Sequence, residues 1–142
     1  MLSRRALLTT LAITPFAPLP AQAEPALEPW AKKLIDAARA QIGVTLRYDP
    51  SYTKLTFPNG DVPRGIGVCT DVVIRAYRDA FGFDLQSAVN ADMKRNFSAY
   101  PKICGLKRAD INIDHRRVPN LRVFFKRTGA ELAVTSDGSD YL

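Results

Sequence analysis

Apolar residues recur at helical spacing between residues 27 and 42, where Trp30, Leu34, Ala37, Ala38, Ala40 and Ile42 mark one face. Gly43 stands just past the end, so a first helix is expected there. The period then changes. Val44, Leu46 and Tyr48 alternate, and Leu55 and Phe57 alternate again after an Asp49-Pro50 turn, so residues 44–57 are expected to be extended. Pro58-Asn59-Gly60-Asp61 signals a turn. Gly65-Ile66-Gly67 leads into the best-defined helix, from Cys69 to Phe81, with Val72, Val73, Ala76, Tyr77 and Ala80 as its apolar stripe and Gly82 as its stop. Leu85, Val89, Met93 and Phe97 recur every fourth residue and predict a helix over residues 84–98. Residues 99–116 read as a loop rich in turn formers and charge. Val118 to Arg127 reads as a short helix, with Pro119 in its first turn and Gly129 closing it. Glu131 to Thr135 is expected to start a strand. Helices dominate over short extended pieces, which predicts an α+β domain.

Composition narrows the class. The 142 residues are 46% apolar and 24% charged, which suits one globular domain and excludes a disordered chain or a collagen-like repeat. Two cysteines are too few for a disulfide-dense mini-protein. The one long apolar run is N-terminal, and it is too short and too proline-rich to span a bilayer, which excludes a polytopic membrane protein.

Residues 1–23 read as an export signal. Arg4 and Arg5 form the positive start, an apolar stretch follows to about Ala17, and Ala21-Gln22-Ala23 is a cleavage site. The adjacent arginines also resemble a twin-arginine signal. Cleavage leaves residues 24–142 as a single domain with no stable membrane anchor, and with 18 basic against 14 acidic residues, a charge of +4. Periplasmic or otherwise exported localisation follows. The basic clusters Lys107-Arg108, Arg116-Arg117 and Lys126-Arg127 lack interleaved aromatics, so nucleic acid is not an expected partner. The two cysteines and one histidine lack ligand-like spacing, so no metal is expected. No phosphate loop, nucleophile-elbow serine or dinucleotide fingerprint is present, and no cofactor is implied.

Cys69 is the most informative residue. At a helix N-terminus a thiol meets unsatisfied N–H groups and the positive end of the dipole, and both favour the nucleophilic thiolate. Asp71, two residues on, pulls the other way. Gly65 and Gly67 allow the close backbone approach that a substrate groove needs. Three roles stand side by side: a nucleophile, a small buried hydrophobe on the apolar stripe, or one end of a disulfide with Cys104.

Several runs are familiar together. They are Ala37-Ala38-Arg39-Ala40-Gln41-Ile42-Gly43, Tyr48-Asp49-Pro50, Tyr52, Pro58-Asn59-Gly60-Asp61-Val62-Pro63 and Gly67-Val68-Cys69-Thr70-Asp71-Val72-Val73-Ile74-Arg75-Ala76. Asp92-Met93, Asn96-Phe97, Tyr100-Pro101 and Asn112-Ile113-Asp114-His115-Arg116-Arg117-Val118-Pro119-Asn120-Leu121 complete them. Over residues 36–130 this chain resembles the bacterial exported family called domain of unknown function 1287. That family resembles, more distantly, the papain-like cysteine peptidases of the NlpC cell-wall type.

The resemblance implies a nucleophilic cysteine at the start of a helix packed on an antiparallel sheet, a histidine base on a strand, and hydrolysis of peptide or amide bonds in peptidoglycan. Cys69 matches the nucleophile. Family members continue with a Pro-Gly-Asp segment and a His-Ile-Gly-type strand, whereas this chain stops at Leu142, and Cys104 stands where a tryptophan is expected. The expectation is therefore a member lacking its C-terminal strands, impaired in turnover.

His115 is the only histidine present. It is a candidate base, a substrate contact or part of a polar network anchoring its loop. Asp114 is its sequence neighbour, and adjacent side chains point apart. Arg116 and Arg117 are candidates to clamp a carboxylate of a wall peptide, or to pair with acids of this chain. Asp71 and Asp114 complete the set of candidate substrate contacts. The alternative to an enzyme is a non-catalytic wall-binding module or a disulfide-stapled structural one.

Overall fold

The computed structural model describes residues 28–103, 105–131 and 134–138. The expected export signal, Cys104 and part of the expected closing strand lie outside the described residues. Within them are four helices, α1 (Pro29–Arg39), α2 (Cys69–Phe81), α3 (Leu85–Arg95) and α4 (Val118–Arg127), and two short strands, β1 (Arg47–Tyr48) and β2 (Ile66–Gly67). The architecture is α+β. No described helix is long and apolar enough to cross a membrane.

The bounds of α2 and α4 coincide with the expected ones, because their stops are local. Gly82 ends α2 in the left-handed conformation, φ 65°, and its N–H donates to the Arg78 carbonyl at 2.8 Å. Asp84 starts α3 by accepting from the Gln86 N–H at 2.9 Å and the Ser87 hydroxyl at 2.6 Å. The first and third helices are shorter than expected: turns replace helix after Arg39, and a 3-10 turn over Phe97–Ala99 follows α3.

Leu85, Val89 and Met93 are fully buried, as their four-residue spacing predicts. They pack with Ile74, Tyr100, Leu121 and Phe124 into the core, which joins α2, α3 and α4. Tyr77 and Phe125 extend it, their rings 5.8 Å apart.

Three expectations are corrected. The resemblance implies an antiparallel sheet, but the sheet among the described residues is one parallel pair, Arg47 opposite Ile66 and Tyr48 opposite Gly67. The alternation over residues 44–57 is therefore mostly not strand. Second, the buried face of α2 carries Thr70, Asp71, Ile74, Arg75 and Ala76, so it is rotated from the stripe centred on Val72 and Val73. Internal polar partners hold Asp71 and Arg75 inside, which outweighs the pull of two valines. Third, the expected loop contains a 3-10 turn, Asp114–Arg116, whose three charged or titratable side chains are all buried.

Buried Gln86 joins two distant loops. Its amide accepts from the Gly60 N–H at 2.9 Å and donates to the carbonyls of Thr56 and Ile111 at 3.0 and 2.9 Å. A Cβ at Gly60 would fall on the Thr56 carbonyl oxygen and lie 2.9 Å from Gln86 Nε2. Backbone there cannot yield without losing these bonds. Gly60→Ala is expected to destabilise the fold by about 3 kcal/mol in urea unfolding, against a near-zero change for Gly65→Ala, where open space receives the methyl.

Candidate functional site

The segment before α2 approaches it in extended form, Val68 having φ −118° and ψ 173°. Val68 has no side-chain oxygen to cap the helix. The reverse half of a capping box is present instead, with Asp71 Oδ2 accepting the Val68 N–H at 2.7 Å. Gly67 is needed at this point, since a Cβ there would stand 2.9 Å from Asp71 Oδ2. Its space serves Asp71 and not a substrate groove as expected.

Cys69 follows in the first turn, with an exposed, free thiol. The expectation of a buried hydrophobe is corrected by the rotation of α2, which turns Cys69 and Val73 outward. Cys69 borders two cavities. One, of about 360 Å³, is walled by Tyr48, Pro50, Tyr52, Ile113, Arg116 and Arg117 together with Val68 and Val118. The other, of about 250 Å³, lies between α2 and α4 and is lined by Thr70, Val73, Val118, Leu121, Arg122 and Phe125. Val118 and Cys69 are common to both, so the thiol stands where a mixed cleft meets an apolar one.

Arg116 builds the wall of the first cleft from below. Its Nε donates to Asp71 Oδ1 at 2.9 Å and its Nη2 to Asp71 Oδ2 at 3.0 Å, with side-chain exposures of 2% and 4%. The remaining guanidinium contacts reach the carbonyls of Ser51 and Asp49 at 3.3 and 3.4 Å. Thr70 Oγ1 donates to the Arg116 carbonyl at 2.8 Å. These bonds tie the start of α2, the Asp114–Arg116 turn and the Asp49–Ser51 segment together beneath the sulfur.

Arg117 meets Asp114 at a longer 3.5 Å and is partly exposed in the same cleft. Asp114 itself is buried and accepts the Asp110 N–H. Burial pushes its carboxyl above the ordinary value, against the pull of that N–H and of Arg117. Thus Cys69, Arg116 and Arg117 come together at one cleft, with Asp71 behind Arg116. His115 and Asp114 line neither cavity beside Cys69.

His115 is 2% exposed. Burial pushes its pKa down to about 4, with Asp71 opposing and Arg116 adding to the fall. An unfolded histidine titrates near 6.5, so the unfolded chain binds a proton between those values that the folded one refuses. Stability is then full above about pH 6.5 and falls as pH drops towards 4, by on the order of 3 kcal/mol. The check is urea unfolding across that window with His115→Gln beside the parent. The parent should lose that stability relative to the variant as pH falls from 6.5 to 4, whatever the offset between the two above 6.5.

Residues the sequence did not single out complete the frame. Arg75 is fully buried, its Nε donating to Asp61 Oδ2 and its Nη2 to Asp61 Oδ1, both at 2.9 Å. It also donates to Thr45 Oγ1 at 3.0 Å and to the Val62 and Ile66 carbonyls at 3.1 Å. These groups flank β1 and β2, so Arg75 positions the arm that carries Tyr48. Tyr52 is held by its hydroxyl, which donates to Asp110 Oδ2 at 3.1 Å and accepts from Asn112 Nδ2 at 2.8 Å. Tyr48 belongs to the alternation from Val44 and Tyr52 to the runs of the resemblance, and neither pattern places the two in one wall. Among the described residues no group of three or more His, Cys, Asp or Glu side chains is placed to hold a metal ion.

No solved structure matches the chain. It is 54% identical over 108 residues to "Uncharacterized protein YijF" of Escherichia coli (strain K12), a match covering 76% of this chain and 52% of that relative. The chain thus spans about half the length of the curated relative it matches. A domain of unknown function (DUF1287) matches residues 35–142, which include every side chain of both cavities at Cys69. With most of its length and its whole candidate site inside that match, the chain belongs to the domain of unknown function 1287 family.

Proposed function

We propose that this chain is an exported cysteine amidase or peptidase of papain-like, NlpC-type plan that acts on peptidoglycan. One observation carries the reading: an exposed, free thiol in the first turn of a thirteen-residue helix, at the meeting point of two cavities. The dipole of α2 favours an anion there. In this reaction the sulfur attacks the carbonyl carbon of a wall peptide. A thioester forms as the C–N bond breaks, and the departing amine takes the proton. Water then cleaves the thioester and restores the thiol. Arg117, partly exposed and paired with Asp114 at the longer distance of 3.5 Å, is the proposed contact for a substrate oxygen, while Asp71 and Arg116 hold the cleft in shape. The N-terminal pattern of Arg4-Arg5, apolar run and Ala21-Gln22-Ala23 supports export.

Among the described residues no histidine, aspartate or glutamate lines either cavity at Cys69. General-base help is worth roughly 10²–10⁴-fold, so slow turnover is expected. The test is mass-spectrometric detection of new amines released from purified peptidoglycan by the full chain and by Cys69→Ala. Release should fall to background in the variant, whose stability should stay within about 0.5 kcal/mol of the parent because the side chain is exposed. Equal release by the two proteins, at any level, overturns the reading.

The same lack of a lining base favours a second reading, a non-catalytic wall-binding module. It predicts salt-sensitive sedimentation with peptidoglycan that Cys69→Ala leaves unchanged.

A further inference from the structure

The largest cavity among those described is not the one at the thiol. It has a volume of about 600 Å³ and is bordered by Tyr52, Asn90, Lys94, Lys107, Arg108 and Asp110, with the 105–112 loop forming one side. Tyr52 also walls the Cys69 cleft, so the two cavities share a partition. Its charge is unbalanced. Lys94, Lys107 and Arg108 make no ion pair with any described residue. The one bordering acid, Asp110, is already engaged: Oδ1 accepts from the Asn112 N–H at 2.8 Å and Oδ2 from the Tyr52 hydroxyl at 3.1 Å.

Asn90 borders the same cavity from inside the fold. Asn90 is 3% exposed, and its buried Nδ2 has no hydrogen-bond partner. Buried amide donors without an acceptor are uncommon and costly, and three cations around one hollow repel each other. The repulsion is relieved by one kind of ligand, a group rich in acceptor oxygens and negative charge. Asn112, Tyr52 and the loop backbone suit a peptide-like ligand in addition to a bare anion.

We propose that this cavity is a subsite for the carboxylate-bearing arm of an acidic peptide. This rests on the reading of Cys69 as nucleophile only for the claim that the same peptide continues past Tyr52 into the thiol cleft. The cations provide long-range attraction and charged hydrogen-bond donors. Asp110, held by Tyr52 and Asn112, positions the wall between the two cavities.

The experiment uses the full chain carrying Cys69→Ala, so that no peptide is cut. The probe is a stem tripeptide prepared from peptidoglycan, with its carboxylates free or methyl-esterified, and binding is measured by calorimetry at two salt concentrations. The free acid should bind more weakly at high salt, and esterification should weaken binding about tenfold. Lys107→Gln/Arg108→Gln, both exposed and safe for folding, should lose the same factor and no longer tell acid from ester. If that variant binds both peptides as its parent does, or the parent binds the ester equally well, the subsite is overturned. Full displacement by an equal concentration of inorganic phosphate overturns the peptide assignment. The outcomes separate from those at Cys69. Intact discrimination with no hydrolysis by the unmutated chain sinks the nucleophile alone, and Cys69-dependent hydrolysis with no discrimination sinks the subsite alone.

Discussion

Arg75→Ala should remove about 4–5 kcal/mol of stability, enough to leave the chain largely unfolded at moderate urea. The guanidinium is fully buried and makes its bonds to Asp61, Thr45 and three backbone carbonyls. Truncation leaves the Val62 and Ile66 carbonyls without this donor. Such groups each cost about 1–3 kcal/mol when they cannot reach water. The two partners of the ion pair are unequal. Asp61 is 20% exposed, so water can solvate it when Arg75 is lost, whereas an unpaired Arg75 has no such recourse. Asp61 also keeps Arg78 at 3.4 Å. Arg75→Lys retains charge but not the planar fork, and should recover less than half of the loss. Urea midpoints for Arg75→Ala, Arg75→Lys and Asp61→Asn test this ranking. A loss below 1 kcal/mol for Arg75→Ala would sink it.

Arg116→Ala should cost about 3–5 kcal/mol, because it strands Asp71 in a site where the carboxylate is 4% exposed. Asp71 would keep only the Val68 N–H at 2.7 Å. Asp71→Asn is expected to be milder, at about 2 kcal/mol, since an amide oxygen still caps α2 while Arg116 retains its carbonyl contacts to Ser51 and Asp49. The double variant Asp71→Ala/Arg116→Ala should cost clearly less than the sum of the two single alanine changes, because no charge is left stranded. Strict additivity would show that the pair is not coupled. These changes also loosen the Asp49–Ser51 wall, so any Cys69-dependent hydrolysis should fall with them, whereas Arg117→Ala, at a partly exposed position, should alter peptide binding with little change in stability.

The arginines show where sequence reading reaches its range. Arg116 and Arg117 stand side by side and invited a reading as a carboxylate clamp. Each has an acid partner within the chain, Asp71 for one and Asp114 for the other, at 2.9 and 3.5 Å. The polar network expected as one reading of the Asp114–Arg117 run is present, with Asp114 taking the Asp110 N–H and its carbonyl taking Asn120 Nδ2 at 3.1 Å. That Asp114, His115 and Arg116 are also buried, packed against three helices, was not legible, since four charged or titratable residues in a row read as solvated.

What the sequence by itself determined is local. The limits of α2 and α4, the stop at Gly82, the buried ridge of Leu85, Val89 and Met93, and the placing of Cys69 in a first helical turn all follow from caps, glycine and side-chain period within a few residues. Family membership was legible for the same reason, in contiguous runs such as Gly67 to Ala76. Tertiary structure alone decided which face of α2 is inside, because Asp71 meets Arg116 across 45 residues and Arg75 meets Asp61 across 14. Those bonds offset the cost of burying charge and outweigh the small gain from turning Val72 and Val73 inward, and the resulting rotation is what exposes the Cys69 thiol to its cleft.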